Sequence, residues 1–323
     1  MTLNAKAYLV CSYLMLGLLS FGANATKANR FYQVSEQVFF ITGKQASPQP
    51  NQALLVGSKC ALLAGLHADW VAMTALIDEL KQRLSVPLCY AVSLHSEVKQ
   101  QSAIVLLQQT YPNLQWLTPN AVSSSTLQHA FKRQLELFKQ SISLSQTRVA
   151  ALPQAQQPSW QEKLKLAQAR VSRWSQLSHA IVTEQSVVSD AISLDLGKHL
   201  LTISPTSAYS KQDLLIQLPA ANGIIAGYSA DLVPPLNHSH WQPWRDALKQ
   251  LHSSQVSWIL PASGKPFPAK ALHQPLQFFS LLSQSDEQQV RAQLKALYSN
   301  PNMQLQALRR WQQWQTRESL NKI

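Results

Sequence analysis

The chain has 323 residues, 46% of them hydrophobic, which is enough to bury a sizeable core in one large domain or two small ones. Its 28 Lys and Arg against 16 Asp and Glu give a formal charge of +12. The basic residues are scattered, with no Lys/Arg run of the kind that marks a nucleic-acid patch, so nucleic acid is excluded as an expected partner.

The N-terminus reads as a targeting segment. Lys6 supplies a positive start, residues 8–21 are apolar and rich in Leu, and Ala23-Asn24-Ala25 is a small-x-small cleavage site. The apolar stretch falls short of the roughly 20 residues a membrane span needs. Residues 1–25 are therefore expected to be a cleaved signal peptide, the protein to be periplasmic or secreted, and no stable membrane span to remain. An uncleaved anchor is the other reading.

Downstream, residues 31–42 alternate weakly and predict a strand. Residues 53–56, a Gly57-Ser58-Lys59 turn and residues 60–64 predict a hairpin. Residues 69–84 carry Val71, Leu76, Ile77, Leu80 and Leu84 at helical spacing. A near-continuous apolar strand over 86–94 follows, then a helix over 97–110 ended by Pro112, and a short strand over 114–117. Two helices, 125–145 and 159–181, flank a Pro/Gln linker over 152–158. Ser159 and Glu162 stand at capping-box spacing. Strands return at 191–194, 199–203, 214–218, 223–226 and 256–260, with a helix over 241–251 before the last. Residues 272–322 predict a helical tail broken at Pro275 and Pro301, with Trp311 and Trp314 on an apolar face.

Several segments then stand out in order. Leu62-Leu63-Ala64-Gly65 ends an early strand. Leu94-His95-Ser96-Glu97-Val98-Lys99-Gln100 follows at the end of the apolar strand over 86–94. Ala208-Tyr209-Ser210-Lys211-Gln212-Asp213-Leu214, Ile225-Ala226-Gly227-Tyr228 and Pro261-Ala262-Ser263-Gly264 close later ones. Together they resemble the metallo-β-lactamase superfamily, whose corresponding segments end in Asp, or read His-x-His-x-Asp-His, Ala-His-Thr-x-Gly-Asp-Leu, Phe-Ala-Gly-Asp and Pro-Gly-His-Gly. The resemblance covers residues 31–272 outside the helical insertion. It is similar in one further stretch, ahead of a Leu-Pro pair, to exported members linked to quinoprotein systems.

The resemblance implies an α/β fold, an αββα sandwich over residues 26–272, with a helical insertion at about 125–181 and a helical C-terminal extension over 273–323. It also marks Ala64, His95, Glu97, Lys99, Gln100, Tyr209, Tyr228 and Ser263 as the vestigial metal-site positions. A catalytic zinc needs about three nitrogen, sulfur or carboxylate ligands and an open position. Only His95 keeps a family ligand here. Lys99 offers an ammonium where a cation would sit, and the tyrosines offer phenols with an ordinary pKa near ~10. No zinc or other cofactor is therefore expected at that position, and no catalytic residue is assigned. The two phenols are expected to fill the emptied cavity and to hydrogen-bond to His95 or Glu97.

A relocated metal site drawn from His67, His95, Glu97, His238 and His240 is the alternative, which would make the chain a hydrolase using zinc after all. The fold also makes the strands holding Cys60 and Cys89 neighbours, so a disulfide is allowed after export; two buried thiols are the other reading. The expectation for the whole is a degenerate, exported binding or accessory protein whose partner is a periplasmic protein or small ligand. A module for membranes or anionic polymers, using Arg309, Arg310, Trp311, Trp314 and Arg317, is a third reading.

Overall fold

In the computed structural model, residues 30–42, 49–177, 184–236 and 241–320 are described. Residues 1–25, expected to be a signal peptide, lie outside the described residues, as do His238 and His240.

Residues 31–42 form a hairpin rather than a single strand. Strand β1 (Arg30–Ser35) turns back at Glu36-Gln37 into β2 (Val38–Thr42), with Gln37 in the left-handed region at φ 66°. The two-residue turn shifts the phase of the alternation by one, and a bulge between Gln33 and Ser35 shifts it back, so the pattern runs on and cannot reveal the turn. Next come β3 (Gln52–Val56) and β4 (Ala61–Ala64). At the turn between them the backbone of Leu196 approaches closely. A Cβ on Gly57 would lie 2.0 Å from the Leu196 carbonyl oxygen, so only glycine fits.

Helix α1 (Trp70–Arg83) starts at Asp69, whose carboxylate accepts from the Ala72 N–H, and it crosses to β5 (Leu88–Val92). The segment predicted as one helix over 97–110 is two, α2 (Val98–Gln101) and α3 (Ile104–Thr110). The Ser102 hydroxyl donates back to the Lys99 carbonyl at 2.8 Å. The Gln101 amide turns inward to the His95 carbonyl at 3.1 Å. These local bonds compete with the helical ladder.

After β6 (Gln115–Thr118), α4 (Ser124–Ala150) and α5 (Gln157–Leu177) form a long hairpin. Helix α5 begins two residues ahead of Ser159, with Pro158 in the first turn, where its missing N–H is harmless. The capping box is therefore not used. The three-residue strand β7 (Gln185–Val187), too short to leave a pattern, completes a seven-stranded sheet in the order β1-β2-β3-β4-β5-β6-β7. Its first four strands are antiparallel neighbours and its last four run parallel.

The second sheet holds β8 (Ile192–Asp195), β9 (Leu200–Thr206), β10 (Asp213–Leu218), β11 (Gly223–Gly227) and β12 (Trp258–Pro261), in the order β12-β11-β10-β9-β8. Helix α6 (Trp241–Ser253) precedes β12. The tail is α7 (His273–Leu281), α8 (Glu287–Leu297) and α9 (Pro301–Leu320). Its prolines begin helices instead of breaking them: Pro275 sits in the first turn of α7 and Pro301 opens α9.

Three apolar layers hold this together. Between the sheets lie Phe40, Leu55, Leu62 and Val92 from one and Ile203, Leu214, Ile216 and Leu260 from the other. Outside the first sheet, Trp70 stacks on Phe131 with ring centroids 4.3 Å apart and meets Trp174 edge-on at 5.5 Å. Those contacts seat the base of the α4–α5 hairpin. Outside the second sheet, α6 to α9 cover Ile224 and Ile259. Trp311 and Trp314 are buried in that layer, so they are core residues and offer no anchor to a lipid or polymer surface. A disulfide joins Cys60 and Cys89 across the parallel β4–β5 pair, with Cα atoms 5.6 Å apart.

Candidate functional site

Five loop ends meet on one edge of the sandwich, those following β4, β5, β11 and β12 and the one leading into β10. The clamp between the sheets is a short antiparallel bridge of His95 with Asp213, next to a 2.8 Å bond from the Leu214 N–H to the Leu94 carbonyl. Asp213 is fully buried. Its carboxylate receives the His95 Nδ1–H at 2.9 Å, the Ser210 hydroxyl, and the N–H groups of Ser210 at 2.8 Å and Ala208 at 3.3 Å. Ser96 donates its own hydroxyl to Ser210 at 2.9 Å and so ties the first loop to this knot.

The other ring nitrogen of His95 is also taken: Nε2 accepts the Tyr228 backbone N–H at 3.0 Å. With Nε2 an acceptor, the ring proton sits on Nδ1 and points at Asp213. Gly227 makes this approach possible. It lies at φ +55°, and a Cβ there would stand 2.5 Å from His95 Nε2.

Around His95 the aromatic rings close up. Tyr209 lies edge-on to it at 5.1 Å, Tyr228 tilts over it at 5.2 Å, and the two phenol rings are 4.8 Å apart. Trp244 backs Tyr209 at 5.9 Å. The Tyr209 hydroxyl donates to Glu97 Oε1 at 2.5 Å, and the Gln100 amide donates to Glu97 Oε2 at 2.5 Å. Asp231, also buried, accepts the Ser263 N–H at 2.9 Å and its hydroxyl at 3.0 Å. On the far side of the same loop, the Asn51 amide holds the carbonyls of Pro261 and Gly264 at 2.9 and 2.8 Å.

No family model matches the sequence, and no curated protein matches it. Solved structures do. A metallo-β-lactamase from Pontibacter korlensis superimposes with a TM-score of 0.51 at 12% identity, over 79% of this chain and 100% of that one. The structure of VMB-1 at pH 5.5 gives 0.50 at 12% identity, over 79% of this chain and 99% of that one. The chain has the metallo-β-lactamase fold.

Within the metallo-β-lactamase fold, the donor set on this edge does not fit a catalytic zinc. Both nitrogens of His95 are engaged in bonds that hold the fold together, and the lone pair that would face a metal faces an N–H. Glu97 is bonded from Tyr209 and Gln100. Burial, with the charges of Asp231 and Glu97, pushes the Tyr228 phenol up to about 12 against the opposing pull of Arg310, so it is a poor source of phenolate. Burial raises Asp231 to about 7, opposed by its bonds from Ser263, by Arg310 and by the Ala262 N–H.

Of the remaining positions, Ala64 is buried in the inter-sheet core. Lys99 is exposed on α2. Ser263 is exposed at the rim. His67 is buried away in its own loop, where its Nδ1 accepts the Asp69 N–H at 3.2 Å; burial lowers it to about 4, against the opposing charge of Asp69. Among the described residues, no three His, Cys, Asp or Glu side chains are grouped to hold a metal ion. The relocated site cannot be assembled from His67, His95 and Glu97, and its other members, His238 and His240, lie outside the described residues.

Three residues central to this edge were not assigned to it from the sequence. Asp213 stood in plain view inside the segment that carried the resemblance. Asn51 lies in a turn region. Arg310 comes from α9, and its guanidinium, lowered by burial, interacts with Asp231, Tyr298, Tyr228 and Tyr209.

Proposed function

We propose that this chain is an exported metallo-β-lactamase-fold protein that has given up zinc hydrolysis and serves as a binding or accessory protein in the periplasm. The observation that carries this reading is His95. Its Nδ1 donates to a buried carboxylate, and its Nε2 accepts a backbone N–H held in place by a glycine that nothing larger can replace. A metal at Nε2 would have to break that bond and leave the N–H unpaired, at a cost of about 1–3 kcal/mol before any ligand is gained. The packed phenols support the same reading, since they occupy the side of the imidazole where a water-bound ion would need room. A link to quinoprotein systems rests on the sequence resemblance alone and adds no residue to the site.

Elemental analysis of the protein purified without chelators tests it. The expected result is zinc far below one ion per chain, unchanged after dialysis against micromolar zinc. One ion per chain, with a hydrolytic activity lost on chelation, overturns the reading. Export is tested separately by N-terminal sequencing of the protein from a periplasmic extract, where Thr26 is the expected first residue.

A further inference from the structure

Half of the net positive charge of the chain falls in one segment, although no run of Lys and Arg marks it. Residues 124–177 hold eight Lys and Arg and two Glu, so about a sixth of the chain carries six of its twelve net charges. They lie on the α4–α5 hairpin, whose base packs on the core through Leu127, Phe131, Leu135, Val171 and Trp174. Beyond that base the hairpin keeps a second apolar feature, and it points outward. Leu137 and Leu144 on α4 are each 51% exposed, and Leu166 on α5 is 50% exposed.

On α4 these leucines belong to one face. Arg133, Leu137, Gln140, Leu144 and Arg148 follow helical spacing along the helix, and all five are exposed. Among the described residues, Lys139 is the hairpin cation held in an ion pair, with Glu136 at 2.7 Å. Lys132, Arg133, Arg148, Lys165 and Arg173 are exposed cations.

We propose that the α4–α5 hairpin docks on an anionic lipid surface through the exposed face of α4, with its Lys and Arg at the phosphate layer and Leu137 and Leu144 in the acyl boundary. Charge complementarity selects a negative surface and disfavours a second copy of this chain, whose hairpin would carry the same sign. The spacing selects a lipid over an acidic protein. A protein partner needs a contiguous close-packed apolar centre. Here the leucines are isolated by Gln140 and Ser141, which suits a fluid surface that closes around each side chain separately. The hairpin lies on the first-sheet side, where α4 also packs on α2 beside the His95 loop, but Arg133, Leu137, Leu144 and Arg148 are not among the residues of that edge.

Vesicle co-sedimentation of the full chain tests it, using phosphatidylcholine alone and phosphatidylcholine with about one third phosphatidylglycerol. Two double variants accompany the wild type, Leu137→Ser with Leu144→Ser, and Arg133→Gln with Arg148→Gln. All four positions are exposed, so unchanged circular dichroism is expected, and any apolar leader contributes equally to every variant. The expected result is binding to the anionic vesicles only, release as salt rises from about 0.05 M to about 0.5 M, and weakening of roughly tenfold or more in each double variant. Absence of binding to anionic vesicles overturns the proposal. So does wild-type binding by both variants, or binding to polyglutamate without binding to the vesicles.

Discussion

His95 and Asp213 form a structural pair on the edge of the sandwich. The pair is buried, at 5% and 0% exposure, and it bridges the two sheets. Asp213 gathers four donors, so removing it strands an imidazole N–H and two backbone N–H groups at once, while the Ser210 hydroxyl keeps the Gln212 carbonyl. Asp213→Ala is expected to lower stability by about 3–5 kcal/mol, the range for breaking a buried charged network from one side. Urea unfolding measures it, and a loss below about 1 kcal/mol would show that the knot is dispensable. At this scale the sequence was half legible. His95, Glu97, Tyr209 and Tyr228 could be placed together from the order of their segments. Which atom bonds which could not, because the Tyr228 contribution to His95 is a main-chain N–H that carries no side-chain signature.

Among the elements, the β4–β5 pair carries the one covalent cross-link of the described residues. Cys60 and Cys89 are 29 positions apart, and closing a loop of that size removes chain entropy from the unfolded state worth about 3–4 kcal/mol. Cys60→Ala with Cys89→Ala should therefore lower the unfolding free energy from urea titration by that amount, and dithiothreitol should reproduce the loss in the wild type alone. Two thiols titrating in the unreduced native protein would contradict the bond. Strong periodic elements such as α1, α4 and α6 were legible because an apolar stripe is a property of their own residues. The elements that escaped are those set by neighbours: the β1–β2 turn hidden where the alternation runs on, the break between α2 and α3 forced by Gln101 reaching to His95, and the three-residue edge strand β7.

For the molecule as a whole, the two halves of the sandwich each bury a titrating group, and their effects on stability have opposite sign. Asp231, 2% exposed on the second-sheet side, is raised from 3.8 to about 7. The folded protein therefore holds a proton that the unfolded chain releases, and stability falls as pH rises from about 4 to about 7, by about 4 kcal/mol in all. His67, 3% exposed on the first-sheet side, is lowered from 6.5 to about 4. Here the unfolded chain binds the extra proton, so stability is lost as pH falls from 6.5 through about 4, by about 3 kcal/mol. Between those limits the slopes oppose each other within one cooperative unit, and the wild type should show little net dependence from this pair. Asp231→Asn should uncover the histidine slope, with urea midpoints climbing from pH 4 to 6.5. His67→Gln should uncover the carboxylate slope, with midpoints falling toward pH 7. Two variants that merely parallel the wild-type curve would mean that neither group is held in the protonation state its burial imposes.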